Sequence, residues 1–362
     1  MQNYIRQKRE VLYNMYKKIK VIISLMLALI LLVACGKNVV SDNQNKTQEF
    51  TDSLGRTFTV SSNIEKVAIS GPLAQIMVFS IAPEKLVGIA NAFNEEAKSF
   101  FKEEYFNIPV LGQLYGGKGE LNLETLLAAS PEVVIDVGEA KGTAKEDLDK
   151  LTSQTGIPFV HITMNLSDID KSYEMLGKLL HKEKEAKELS DYCVKVLDEA
   201  KHIKNKKRVC YSLGKNGLNV IAENSYFSED IDMIADNVAK IDNPSSKGSG
   251  NEIDMEQMLL YNPDYIIFEN KNLYDNIPKM KEWQEINAIK NGKYFVVPQI
   301  PYNILGFPPS VQKILGLKWL MYILNNDEVE CDIRSEFKTF YKLFYHCDIS
   351  DDDLDNIIGV EE

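Results

Sequence analysis

ELNLETLLAASPEVVI, residues 120–135, is echoed by EIDMEQMLLYNPDYII, residues 252–267. The two stretches align position for position: Glu124 and Glu256 each open a helix-like segment, and a proline and an acidic residue then precede an apolar, strand-like run. Such an echo indicates equivalent places in two related lobes. Each glutamate falls in the first turn of its predicted helix, where the helix dipole favours a carboxylate, so a local stabilising role is an alternative to a functional one.

Around the echo, short apolar segments alternate with helical patterns. The apolar segments are rich in Val and Ile and are bounded by Gly, Pro or Asn, which is typical of buried strands. This alternation predicts an α/β protein with two Rossmann-like lobes, each with a mostly parallel sheet covered by helices. The predicted strands are 66–70, 86–90, 109–112, 133–136 and 159–162 in the first series, and 208–213, 219–222, 265–268 and 294–298 in the second.

A single long helix is predicted between the two series of strands. Residues 182–204 contain no Gly or Pro, are dense in Glu and Lys, and carry apolar residues at spacings of three and four. At 1.5 Å per residue this helix would measure roughly 35 Å, which limits how far the lobes it joins can move. The alternative is a surface helix inside one domain. The apolar stripe consists of Ala186, Leu189, Cys193, Val196 and Ala200.

The N-terminus has the parts of a secretory signal. Lysines 17, 18 and 20 precede an apolar run, residues 21–33, that is too short to span a bilayer as a mature helix. The run ends in Leu-Val-Ala-Cys, which resembles the bacterial lipobox and predicts lipidation of Cys35. The alternative is a membrane anchor with an incidental cysteine; either interpretation places the body of the chain outside the cytoplasm. Met15 is a second candidate start.

The charge balance is acidic. The chain has 41 Lys and Arg against 53 Asp and Glu, a net charge of −12, and removal of the signal makes the remainder more acidic still. An acidic surface repels nucleic acid, so no nucleic-acid partner is expected. The four remaining cysteines form no C-x-x-C pair and predict neither a disulfide framework nor a zinc site, and their redox state stays open.

No catalytic motif emerges from the sequence. GQLYGGKG, residues 112–119, nearly matches a phosphate-binding loop, but Gly119 replaces the Ser or Thr that would ligate magnesium. It is better interpreted as a glycine turn at the carboxyl end of a strand, where ligands of open α/β sheets bind. No G-x-S-x-G or H-E-x-x-H occurs, and an envelope hydrolase using His161 or His346 is the chief rival from another class. A surface adhesin without a small-molecule ligand is a third interpretation.

Several phrases together resemble one family. They are DSLGRTFTV (residues 52–60), IEKVAI (residues 64–69), the two echoing stretches, and the segment from Trp283 to Gly292. Over residues 50–345 the chain is similar to the substrate-binding proteins of ABC importers for iron-siderophores, haem and cobalamin. That resemblance implies two α/β lobes joined by one rigid helix, no catalysis, no cofactor, and a monomer that delivers its ligand to a permease dimer with its ATPase.

The resemblance also implies roles for individual residues. One glutamate on each lobe of such proteins docks on the two permease subunits, which by motif position corresponds to Glu124 and Glu256. Charge complementarity of this kind steers docking and fixes its register. The ligand is expected between the lobes, at loops following the strands. The residues expected to line this cleft are Pro72, Tyr115, Lys118 and Lys141 from the first lobe, and Tyr226, Asn251 and Tyr302 from the second.

The ligand is expected to be an iron-type chelate, most specifically a ferric siderophore. Cobalamin binders of the family carry tryptophan where this chain has Lys118 and Gly250, which disfavours cobalamin. The body of the chain has three arginines, so the cluster suited to a highly anionic catecholate is missing. The predicted lysines and tyrosines are compatible with a hydroxamate-type or another modestly charged chelate. Haem with an axial Tyr115 or Tyr302, a nickel chelate, and molybdate or tungstate stay open as alternatives.

These inferences give a predicted division of the chain. It comprises a lipoprotein signal peptide (1–34), a lipidated Cys35 with a flexible tether (35–51), an N-terminal lobe (52–181), an inter-lobe helix (182–204), a C-terminal lobe (205–348) and an acidic tail (349–362) expected to form a last short helix.

Overall fold

Two sheets with mainly parallel strands organise the chain, as the βα alternation predicts. The structure is a computed structural model that describes residue 15 and residues 46–115, 120–140, 142–245 and 248–358. Apart from Met15, the predicted signal peptide lies outside the described residues, as do Cys35, Lys118 and Lys141.

The N-terminal lobe is built on a three-stranded parallel sheet of order β3-β4-β5. An antiparallel hairpin, β1–β2, precedes it. Helix α1 packs on β3 and β4, and Pro occupies its first turn, where a missing N–H costs nothing. The elements are β1 (Thr47–Thr51), β2 (Thr57–Ser61), β3 (Val67–Ile69), α1 (Pro72–Ile81), α2 (Leu123–Ala129), β4 (Val133–Gly138), α3 (Ala144–Thr155), β5 (Phe159–Thr163) and α4 (Ile169–Leu180).

Two strands predicted in this lobe, 86–90 and 109–112, are present only as isolated bridges. Leu86 pairs with Val67, and Ile89 pairs with Val110. Pro109 lacks the N–H that would extend the ladder at this edge of the sheet. The backbone nevertheless follows the predicted path, because the amide of Leu111 donates to the carbonyl of Ile89 at 2.7 Å.

The predicted inter-lobe helix is present as α5, Glu183–Lys201, slightly shorter than expected. All five residues of its predicted apolar stripe are buried. The helix packs on α1 and α4 of the first lobe and on two helices of the second, α6 (Glu229–Ile234) and α10 (Lys313–Asn325). One continuous apolar core therefore runs through both lobes along this helix.

The C-terminal lobe contains a six-stranded sheet of order β11-β10-β6-β7-β9, with β8 also paired to β6. Three of its strand pairs are parallel and two, β6–β7 and β7–β9, are antiparallel. The mixed α/β class with a two-lobed fold is thus as predicted. The further elements are β6 (Arg208–Leu213), β7 (Asn219–Val220), β8 (Asp236–Asn237), β9 (Asn251–Glu252), α7 (Met255–Tyr261), β10 (Tyr265–Phe268), α8 (Lys271–Asn276), α9 (Asn287–Lys290) and β11 (Tyr294–Val296).

The chain ends by crossing back to the first lobe. Helix α11, Ile333–Phe344, packs on α1, and His346 Nε2 lies 3.0 Å from the carbonyl of Phe79. The expected last helix is α12, Asp351–Ile358, and its apolar residues are buried. The division of the chain at 348 remains a prediction, but the segment before it contacts both lobes.

The four cysteines of the folded body are free and buried. Burial raises the pKa of the Cys210 thiol to about 12 and that of Cys331 to about 11. These thiols stay protonated at neutral pH and pack as small apolar side chains.

A buried ion pair fastens the β1–β2 hairpin to the sheet. Arg56 is 7 % exposed and bonds the carboxylate of Asp52, the carboxylate of Asp149 and the carbonyl of Phe159. Asp52 also accepts the amide of His161 on β5 at 3.1 Å. The DSLGR stretch, residues 52–56, therefore attaches the hairpin to the N-terminal sheet.

Replacing Arg56 with Met should destabilise the fold by about 3–5 kcal/mol, because Asp52 would keep a buried charge without its partner. Urea denaturation followed by circular dichroism measures this loss. Arg334→Met, which removes an exposed ion pair with Asp351 and Asp355, is the matched control and should have a much smaller effect. Equal effects of the two changes would contradict the structural role given to Arg56.

Candidate functional site

The loops that follow the strands of the two lobes meet across a cleft. Met164 follows β5 and Leu73 follows β3, whereas Tyr226 follows β7 and Tyr302 follows β11. This is where open α/β sheets bind ligands. The hydrogen bonds that join the two sets of loops are Tyr226 Oη to the carbonyl of Met164 (3.3 Å), Gln75 Nε2 to Tyr302 Oη (3.2 Å) and Ser310 Oγ to the carbonyl of Leu73 (3.2 Å).

On the N-terminal side, α1 supplies Pro72 and a residue that the sequence interpretation missed, Gln75. Pro72 is half-buried at the start of the helix. Gln75 is buried, and its Oε1 accepts the amides of Ala90 and Asn91 at 3.0 and 3.1 Å while its Nε2 donates to Tyr302. The only sequence signal for it was a single amide within the apolar helix PLAQIMVFSI.

Tyr115 points toward the first turn of α3. Its hydroxyl donates to Asp147 Oδ2 at 3.3 Å, and the ring is half-buried. Burial, followed by the charges of Asp136 and Asp147, raises the pKa of Tyr115. The hydroxyl is therefore neutral and engaged with protein, which disfavours it as an anionic axial ligand for haem.

An aromatic wall forms the C-terminal side of the cleft. Tyr226 meets Phe227 edge-on, and Phe227 stacks on Phe307 with centroids 5.5 Å apart. Gly248 lies against this pair, because a Cβ there would be 3.1 Å from each phenylalanine ring. Burial also raises the pKa of Tyr226 and of Tyr302, so both hydroxyls act as neutral hydrogen-bonding groups.

Asn251 was also predicted to contact the ligand, but its side chain forms hydrogen bonds with the protein backbone. Its Oδ1 accepts the amide of Ser245 at 2.7 Å and its Nδ2 donates to the carbonyl of Val220 at 3.3 Å. These bonds fold the loop before β9 back onto β7. The side chain thus shapes the loop, and direct contact with ligand remains a prediction.

A buried charge cluster stands behind Tyr226. Lys313 on α10 is 1 % exposed, and its Nζ donates to the carbonyl of Tyr226 at 3.2 Å and lies 3.3 Å from Asp230 and 3.6 Å from Glu229. Burial raises the pKa of Asp230 to about 6, against the opposing effect of Lys313. The ammonium therefore holds the Tyr226 backbone in place. In the sequence, Lys313 is one of two lysines in an apolar helix, and nothing local indicated this role.

The two histidines of the hydrolase interpretation, His161 and His346, are both bonded to protein groups. His161 Nδ1 lies 2.7 Å from Asp136 Oδ2, and the Ser70 hydroxyl bonds the other oxygen of that carboxylate. The Ser70 hydroxyl therefore meets the carboxylate and not the imidazole. The other ring nitrogen, His161 Nε2, lies 3.3 Å from the hydroxyl of Thr163, and the imidazole itself is 1 % exposed. Burial lowers the pKa of His346, which bonds a backbone carbonyl of α1.

All three arginines of the folded body bond protein groups outside the cleft. Arg208 donates to the carbonyls of Tyr261 and Asn262, where it closes the end of α7. Arg56 and Arg334 bond the carboxylates described above. The described cleft thus lacks the guanidinium cluster that suits a highly anionic ligand.

The echoing stretches have the same structure. The side chains of Asn122 and Asp254 cap α2 and α7 by accepting the amide three residues on, and both helices end in the left-handed conformation, at Ser130 and Asn262. Burial follows the same order along both helices, with one fully buried side chain in each, Leu126 or Met258. The predicted equivalence of the two stretches is confirmed down to their caps.

Glu124 and Glu256 are exposed on these helices. Neither carboxylate makes a hydrogen bond or ion pair with another described residue, and the capping bonds come from Asn122 and Asp254 instead. The fold therefore does not need the glutamates as caps. Because each helix is followed at once by a strand of the parallel ladder, its first turn lies at the carboxyl edge of its sheet, the edge that also carries the cleft loops.

Comparisons with known proteins agree with this geometry. The profile of the family described as periplasmic binding protein matches residues 67–301. An uncharacterized ABC transporter substrate-binding lipoprotein of Bacillus subtilis, YvrC, is 21 % identical over 304 residues, covering 78 % of this chain and 90 % of YvrC. Within the described residues, no helix is long and apolar enough to cross a membrane, and no group of three metal-ligating side chains occurs.

Two solved structures show the same fold. An ABC transporter solute-binding protein from Sulfurospirillum deleyianum is 27 % identical, with a TM-score of 0.79 over 86 % of this chain and 99 % of that one. The molybdate-bound protein MolA of Haemophilus influenzae is 20 % identical, with a TM-score of 0.62 over 84 % of this chain and 99 % of MolA. The second likeness concerns the fold alone.

Removing the Tyr226 hydroxyl should loosen the contact between the lobes. In the Tyr226→Phe variant, the rate of amide hydrogen–deuterium exchange in residues 159–165 should increase about fivefold. An increase of this size corresponds to the free energy of one neutral hydrogen bond. Tyr274→Phe, distant from the cleft on α8, is the matched control. Unchanged exchange around Met164 in the Tyr226 variant would show that the hydroxyl does not hold the lobes together.

Proposed function

Because the chain belongs to the periplasmic binding protein family, we propose that it is an extracytoplasmic lipoprotein that captures a ferric chelate of hydroxamate type. It delivers this ligand to the permease dimer of an ABC importer, which is driven by its ATPase. The chain itself acts by reversible binding, as the ABC transporter substrate-binding proteins of this family typically do without catalysis.

The chemistry of the cleft carries the ligand assignment. Tyr226 and Tyr302 present neutral hydroxyls where the two lobes meet, and aromatic rings form the adjacent wall. The Tyr302 hydroxyl accepts from Gln75 and keeps its own proton to donate to an oxygen of a hydroxamate chelate, and aromatic rings can cover the apolar backbone of such a ligand. The absence of a guanidinium from the described cleft disfavours a catecholate, since such a ligand needs charge neutralisation.

The two exposed glutamates support delivery to a permease. Glu124 and Glu256 occupy equivalent positions at the cleft edges of two lobes, and neither is used as a cap. A partner with two copies of a cationic pocket matches this arrangement. Docking there would cover the mouth of the cleft, which is what transfer of the ligand requires.

The membrane attachment rests on the sequence. Cys35 follows an apolar run and a Leu-Val-Ala tripeptide, and a polar tether separates it from β1. The likeness to a substrate-binding lipoprotein supports the same placement. Lipidated at Cys35, the chain would sit on the outer face of the cell membrane next to its permease.

The ligand assignment is tested by isothermal titration calorimetry on residues 36–362. A ferric hydroxamate should bind with a Kd below about 1 µM, and ferric catecholate, haem, cobalamin, nickel-histidine and molybdate should bind far more weakly. Calorimetry is preferable to fluorescence, because Trp283 and Trp319 are both buried in the core of the C-terminal lobe. Binding of molybdate alone would overturn the chelate assignment, and silence across the panel would contradict it.

The docking assignment is tested by the double change Glu124→Ala and Glu256→Ala. Uptake of the bound ligand into cells should be abolished, while the calorimetric Kd stays unchanged, because neither carboxylate lines the cleft. Glu146→Ala is the matched control, since Glu146 is also exposed in the first turn of a helix, α3. Normal uptake by the double variant would refute docking through these residues.

A further inference from the structure

Exposed leucines accompany both glutamates. Among the described residues, six large apolar side chains are exposed, and three of these lie on α2 and α7: Leu127 at 48 %, Leu259 at 40 % and Leu260 at 71 %. Monomeric proteins generally keep such side chains scattered. Their concentration on the two echoing helices therefore needs a physical explanation.

Leu127 and Leu259 are equivalent positions. Each follows its glutamate by three residues, so that leucine and carboxylate lie on the same side of the helix, one turn apart. The inward positions are taken by Leu126 and Met258, each fully buried. The fold thus requires an apolar residue at the inward position only, and an exposed leucine beside it adds nothing to the core.

We infer that Glu124 with Leu127, and Glu256 with Leu259 and Leu260, form two mixed acidic and apolar docking patches for the permease dimer. This inference rests on the proposed docking role. Each permease subunit would then present an apolar recess directly beside its cationic pocket. The charge sets approach and register, and the buried leucine slows dissociation once contact is made.

Three features favour a permease over other occupants. The patches occur twice, at matched positions of two lobes, which fits a partner with two similar subunits. Each combines one carboxylate with one or two leucines, so the surface complements a cationic and apolar recess. Both first turns lie at the cleft edges, so this partner would cover the ligand when bound.

The two patches are unequal. The position equivalent to the highly exposed Leu260 is Ala128 on the first lobe. The C-terminal patch therefore offers more apolar surface than the N-terminal one. We expect it to contribute the larger share of the apolar contact.

The test measures binding of the chain to its permease and ATPase, purified together and held in lipid nanodiscs. Leu127→Gln and Leu259→Gln should each weaken binding about tenfold, and Leu260→Gln at least as much, because the apolar burial is lost. These variants should keep the salt dependence of wild type and show a less negative heat-capacity change of binding. Glu124→Ala with Glu256→Ala should instead flatten the salt dependence.

Val194→Gln is the matched control, because Val194 is 47 % exposed on α5, away from both patches, and it should bind as wild type does. Wild-type binding by the leucine variants, with binding lost in the glutamate variant, would overturn this inference but leave glutamate docking intact. Wild-type binding by all variants would refute docking itself. The leucines could instead mediate self-association or membrane binding of the unlipidated chain. In that case wild type, but not the leucine variants, would sediment as an oligomer or float with lipid vesicles. Either result would overturn the inference.

Discussion

The relation between the two lobes depends on the helix α5. Its buried stripe lies in an apolar core that continues from α1 and α4 on one side to α6 and α10 on the other. Lys318, only 4 % exposed, bonds Glu199 of this helix and Glu336 of α11, so that three helices share one buried ammonium. A hinge at this place would have to break both the apolar packing and the ion pairs, so we expect the two lobes to move little relative to each other.

Contacts between the two lobes also occur at the loops beside the cleft. Tyr226 and Tyr302 reach from one lobe to the other, and their hydroxyls bond a carbonyl and an amide. Lys313 and Gln75 hold these contacts from behind, each buried and each bonded to cleft backbone. The two tyrosines thus present neutral hydroxyls, and buried polar side chains hold them from behind.

The glutamate helices show how a small repeat can serve two purposes. The capping side chains and left-handed ends are enough to form α2 and α7, and one inward residue anchors each helix to its sheet. The side chains at the outward positions are then not needed for folding of the helix. The proposed docking role would account for the carboxylates and leucines at those positions.

Periodicity in the sequence was sufficient to predict most of the frame. The strands β4, β6 and β10, the helix α2 and the buried stripe of α5 follow from local patterns, because burial on a sheet or helix repeats at fixed spacings. The predicted edge strands at 86–90 and 109–112 form only isolated bridges, because Pro109 has no N–H to continue the hydrogen-bond ladder and no further described strand pairs with them. The echo also sufficed to pair Glu124 with Glu256, because equivalent segments fold alike.

Only the tertiary structure decided which polar residues meet. Gln75 and Tyr302 are separated by 227 residues, and Lys313 lies 87 residues from the carbonyl that it bonds, distances over which no local pattern carries information. Asn251 had the residue type and position of a ligand contact, yet its amide is used by two backbone groups. The sequence by itself determined the two lobes, the helix between them and the matched glutamates, because these depend on short-range periodicity. Which side chains face the ligand depends on how distant loops converge, and only the folded chain brings them together.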